Sequence, residues 1–147
     1  MDVFVAGLGA DADSPLDPCY QGYFRCFNAG EYYEAHDVLE HLWLKDGPGG
    51  ANYAFYKGLI QFAGAFVHLR KQCEHPAHAK HGRRLRPAVR LFELASANLA
   101  GYEPRHLALD VTAARATCAR YAAAVADGDF TRNPWSPETA PRLQLEP

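Results

Sequence analysis

The chain has 147 residues, 48% of them hydrophobic and 22% charged, with a formal net charge of −2. That length and composition point to one domain with a core of its own. The near-neutral charge argues against a general attraction to nucleic acid or to membrane surfaces. No apolar run approaches the roughly 18 residues of a membrane span. The first basic residue is Arg25, so no secretory leader is read at the start, and a cytoplasmic location is expected. The four cysteines, at 19, 26, 73 and 118, include no Cys-x-x-Cys pair and read as reduced thiols.

Residues 1–14 are small, acidic and irregular; the Gly7-Leu8-Gly9-Ala10 stretch lacks the strand, third glycine and helix of a phosphate loop, and the segment reads as an arm. A bundle domain follows over 15–128. Asp17-Pro18 starts the first helix as cap and first-turn proline, and Asn28-Ala29-Gly30 stops it. The second runs from about Glu31 to Leu44, with Glu31 and Glu34 at the positive end of its dipole. The Asp46-Gly47-Pro48-Gly49-Gly50 loop leads to a long third helix, about Asn52–Cys73, whose apolar residues nearly encircle it. Gly58 and Gly64 each cost this helix about 1 kcal/mol relative to alanine, which close approach by a neighbouring helix would offset. The fourth helix is clearest over Pro87–Ala100, and Asp110 caps a fifth that ends at Gly128. Residues 129–147 form a proline-rich tail that Trp135 folds back onto the body; an extended or disordered end is expected beyond it. The class is all-α: a single bundle of about five helices, with an antiparallel hairpin of helices 2 and 3 at its centre.

Two polar stripes carry the chemistry. On the second helix Tyr32, His36, Glu40 and Trp43 recur at one-turn spacing. On the third, Lys57, Gln61, Gly64 and His68 do the same. In a hairpin the two stripes are expected to face one another across a semi-buried pocket. One reading is a divalent metal held by His36, Glu40 and His68, with Asp37 or Glu40 as the base that activates a metal-bound water. Tyr32, Trp43, Lys57 and Gln61 would then contact the ligand. The other reading is a hydrogen-bond network that locks the helices in a non-catalytic interaction or structural module, since buried polar groups must be satisfied. A small molecule or a protein could be the partner, and a homo-oligomer is left open.

Seven of the fifteen Lys and Arg residues fall between Arg70 and Arg90, among His75, His78 and His81. Without interleaved aromatics this segment reads as a solvated basic face rather than a nucleic-acid site. Nucleophilic catalysis has no Gly-x-Ser-x-Gly to support it, and Cys26 reads as a core thiol.

The pattern Phe27-Asn28-x-Gly30-x-Tyr32-Tyr33-x-Ala35-His36-Asp37-x-Leu39-Glu40-x-x-Trp43, followed by Lys57-Gly58-Leu59-Ile60-Gln61-x-Ala63, resembles the domain of unknown function 309 family. The matched core is about residues 20–70. The resemblance implies an all-helical bundle and a shared pocket near His36, Asp37, Glu40, Trp43, Gln61 and His68. It also carries the family's label of predicted metal-dependent hydrolase, which itself rests on motif reading. The chain departs from the pattern at Asp37, where glutamate is more usual, and in the longer Gln72–Gly82 segment after the third helix.

Overall fold

Asp17 begins the first helix, α1 (Pro18–Asn28), by accepting the Cys19 amide on its side chain at 2.7 Å, with Pro18 inside the first turn where a missing N–H costs nothing. The structure, a computed structural model, describes residues 15–78 and 83–146. The N-terminal arm, His81 and Pro147 lie outside the described residues. Helix α1 ends in a left-handed glycine, Gly30 at φ 78°, where the Glu31 amide reaches back to the Cys26 carbonyl (2.9 Å) and the Gly30 amide to Phe27 (3.0 Å). This Schellman pairing satisfies two terminal carbonyls and turns the chain directly into α2 (Tyr32–Asp46).

The loop around Gly47, also at positive φ, leads into α3 (Tyr53–Glu74). The fourth helix, α4 (Leu85–Leu99), starts two residues before Pro87, whose place in the first turn again removes no intrahelical bond. After a 3₁₀ turn at Ala100–Tyr102 comes a two-residue antiparallel pair, β1 (Arg105–His106) with β2 (Leu109–Asp110), too short to leave an alternating signature in sequence. Asp110 then caps α5 (Val111–Asp127) by accepting the Ala113 amide at 2.9 Å. Consecutive helices pack on one another, and α3 is gripped by α2 on one flank and α4 on the other. The fold is the expected all-α bundle with the α2–α3 hairpin central to it.

Aromatic residues fill the middle. Phe66 of α3, fully buried, has ring centroids within 5.1–5.4 Å of Phe27 (α1), Tyr32 (α2), Phe62 (its own helix), Phe92 (α4) and Tyr121 (α5). The tail returns to this core. Trp135 is 6% exposed and Leu143 8%, so the end of the chain is extended but anchored beyond Trp135 as well as at it.

The two α3 glycines have different surroundings. A Cβ on Gly58 would come within 2.9 Å of the Leu99 side chain and 3.2 Å of the Ala95 carbonyl, which is backbone. On Gly64 it would meet only the Leu91 methyl, at 3.2 Å. Overpacking costs about 1–3 kcal/mol while alanine returns about 1 kcal/mol of helix propensity. Gly58→Ala is therefore expected to lower stability by about 1 kcal/mol, and Gly64→Ala to leave it level or raise it. Urea denaturation of the two variants against the parent chain checks the contrast.

Candidate functional site

The Gly30 turn sets the phase of α2. Ala35, Val38, Leu39 and Leu42 point inward, and His36, Glu40 and Trp43 run along the edge of the buried face, half-exposed. His36 Nε2 lies 3.6 Å from Glu40 Oε2, an i,i+4 pair whose side chains are 34% and 38% exposed. Trp43 stacks on Tyr53 at the start of α3, with ring centroids 5.3 Å apart and planes 29° apart. Two nitrogens on this face, His36 Nδ1 and Trp43 Nε1, are buried and make no hydrogen bond among the described residues. Such a group costs about 1–3 kcal/mol to leave unmade. Around them sit two large apolar side chains open to solvent, Tyr33 at 62% and Leu44 at 66%. Tyr33 also lies beside His36, with centroids 5.9 Å apart.

The α3 stripe goes elsewhere. Gln61 Oε1 accepts from Asn98 Nδ2 of α4 at 2.7 Å. His68 Nδ1 is 3.0 Å from Arg84 Nη1, just before α4, and the Arg84 amide donates to Gln72 Oε1 at 2.9 Å. Gln61 and His68 thus close the α3–α4 seam rather than facing His36 and Glu40, which corrects the expectation of two opposed stripes. The reason is the central place of α3: it has two polar flanks to satisfy, and helical spacing does not say which neighbour takes which. Lys57 is half-buried on the same helix, and Asp37 is exposed on the outside of α2.

Tyr32 also departs from the site. It is 2% exposed and packed on Phe27 and Phe66, and its hydroxyl accepts from Trp135 Nε1 at 3.1 Å. The tail covers the first turn of α2, and the tyrosine packs as a core residue. Among the described residues no three His, Cys, Asp or Glu side chains come together as a metal site would require. His36 and Glu40 meet, but His68 is held against a guanidinium, so the donor set does not fit a three-ligand ion.

The two buried thiols offer no nucleophile in its place. Burial, with the Glu31 and Glu34 charges adding to it, pushes Cys26 up to about 11, and burial pushes Cys118 to about 12, far from a reactive thiolate. Among the described residues no helix is long and apolar enough to cross a membrane.

Asn28, read in the sequence as a helix stop and as a position of the family pattern, also holds the main chain of Leu143, donating through Nδ2 to the carbonyl (2.6 Å) and accepting the amide through Oδ1 (2.7 Å). The sequence pattern did not single out Arg70, whose guanidinium donates to the Gly30 carbonyl and lies between two open clefts. One, of about 300 Å³, is bordered by Tyr33, Glu34 and Lys71; the other, of about 280 Å³, by Gly30, Cys73 and Trp135. Both need the chain to be folded before they exist, so no local motif announces them.

His68 titrates at about 4 instead of its ordinary 6.5, because burial and then the Arg84 and Lys71 charges disfavour the imidazolium. Between those values the unfolded chain binds a proton that the folded chain does not, so stability rises with pH across the window and is lost as pH falls through it. A His68→Gln variant keeps an acceptor for Arg84 and removes the titration. Its melting temperature is expected to fall less than that of the parent between pH 6.5 and 4, and the difference between the two curves isolates this group.

Comparisons with curated proteins and with solved structures return no match. A family model described as a domain of unknown function (DUF309) matches residues 20–79. The match takes in α1, α2 and α3 together with the Schellman turn, the His36–Glu40–Trp43 face and Arg70, and leaves α4, α5 and the tail beyond it. Over residues 20–79 the chain is similar to the DUF309 family.

Proposed function

We propose that the protein is a non-catalytic binding module that receives a polypeptide partner on the α2 face carrying His36, Glu40 and Trp43. The observation that carries this reading is the pair of buried, unpartnered nitrogens on one face of an otherwise well-satisfied bundle. In the tautomer that carries its proton on Nε2, His36 presents Nδ1 as an acceptor, and Trp43 Nε1–H is a donor. The two groups are seven residues apart, about 10 Å of helix rise, farther than one ion or one small polar group can bridge. An extended surface that offers a donor to His36 and an acceptor to Trp43, once each ring turns to expose its nitrogen, would satisfy both. Tyr33 and Leu44 would supply the apolar contact beside them, and aromatic anchors next to unmet polar groups suit an interface core.

The hydrolase reading implied by the resemblance has less support. It needs a third ligand beside His36 and Glu40, and His68 is committed to Arg84. The locked-network reading has less as well, because the His36–Glu40 pair lies within one helix and, among the described residues, no ion pair joins it to another.

Trp43→Phe separates a binding role from a structural one. It keeps an aromatic ring beside Tyr53 and removes the indole N–H, unbonded among the described residues, together with one ring of the bicycle. The melting temperature is expected to change little, because Trp43 is half-exposed, and a partner photo-crosslinked through a benzophenone residue at position 44 is expected to be lost. A drop of several degrees, or crosslinking equal to the parent's, would sink the proposal.

A further inference from the structure

Residues 129–146 form no helix or strand, yet groups far away in sequence hold them along their length. Asn133 donates to the Leu69 carbonyl at 2.7 Å, and Trp135 donates to the Tyr32 hydroxyl at 3.1 Å. Asn28 grips both main-chain groups of Leu143, as a neighbouring strand would. At the end, the Glu146 amide donates to the Ala108 carbonyl (2.7 Å), and its carboxylate pairs with Arg105 at 2.8 Å. Main-chain recognition at two points, with buried pockets for an indole and a leucine eight residues apart, is how a receptor binds an extended peptide. The tail is a ligand that happens to be attached.

The attachment is strained. The chain leaves α5 through Asp129 (φ 54°) and Phe130 (φ 59°), two consecutive residues other than glycine in the left-handed region. A bulky side chain there is costly and persists only where surrounding contacts enforce it. Here those contacts are the Asp129 amide on Ala126 (2.9 Å), the Phe130 amide on Val125 (3.0 Å), and Arg86 over the Phe130 ring at 4.1 Å. If this turn opens, the strain is released and the tail moves away from its own body. None of the contacts from Asn133 to Glu146 depends on which chain supplies the tail.

We propose that residues 133–146 are exchangeable: the groove formed by Asn28, Tyr32 and Leu69 also takes the tail of a second copy, in a reciprocal swap hinged at the strained turn. A second copy is the fitting occupant because it offers the same indole, leucine and main chain that the groove already holds.

Two experiments on the whole chain test the swap. Deleting Asp129 and Phe130 removes the reversal, so the tail can no longer reach its own groove. This variant is expected to run as a dimer by light scattering at micromolar concentration, and adding Asn28→Ala is expected to cut the dimer fraction several-fold. A folded deletion variant that stays monomeric overturns the proposal. In the second, a fluorescein-labelled peptide of residues 133–146 is titrated into Trp135→Ala, whose own tail is weakened, and into the parent protein. Binding at least tenfold tighter to the variant is expected, since the parent's tail competes. Should Trp135→Ala fail to fold, Leu143→Ala, which removes only the distal anchor, takes its place. A folded variant that does not bind the peptide refutes the exchange.

Discussion

The arrangement rests on Phe66. One ring on the central helix touches an aromatic ring from each of the other four helices, and every pair meets at a tilted or edge-on angle rather than as a flat sandwich. Each such pair is worth about 0.5–1.5 kcal/mol beyond the area it buries. More important is the geometric restriction. A helix that rotated by one residue would withdraw its ring from the shared contact, so the hub sets the rotation of all five helices at once. The phase of α2 follows from it: Tyr32 must face Phe66, and His36, Glu40 and Trp43 then fall along the edge of the buried face.

The hub also ties the tail to the core. Tyr32 has Phe66 against its ring and Trp135 on its hydroxyl. The same side chain therefore serves the packing of the bundle and the docking of a segment more than a hundred residues later. A phenylalanine at this position would preserve the first role and lose the second, because the indole N–H would have no acceptor. The hydroxyl is thus a specific demand of the tail rather than of the helix.

Local chemistry made the helices readable. Asp17-Pro18 and Asp110 are caps with their own acceptors, Gly30 permits a left-handed stop, and the apolar phasing of α3 is dense enough to mark it as central. Pairing was harder to read. Spacing places Gln61 and His68 on one face of α3, but Asn98 and Arg84, far along the chain, decide that this face belongs to α4. Tyr32 belongs to the His36 stripe by spacing and to the core by burial, and the difference is made by Trp135. The same limit applies to Asn28, whose two bonds to Leu143 span 115 residues. Contacts of that reach have no periodicity. They become visible only when the chain is closed.

The chain contains two tryptophans, and the fold has placed them in different environments. Trp43 is half-exposed on α2, its N–H unbonded and its ring against Tyr53. Trp135 is buried, its N–H bonded, at the anchoring point of the tail. Emission from the first responds to whatever settles on the α2 face, and emission from the second to whether the tail is seated. The protein thus carries two intrinsic optical reporters whose signals can be told apart by replacing one indole at a time, with no label attached to either surface.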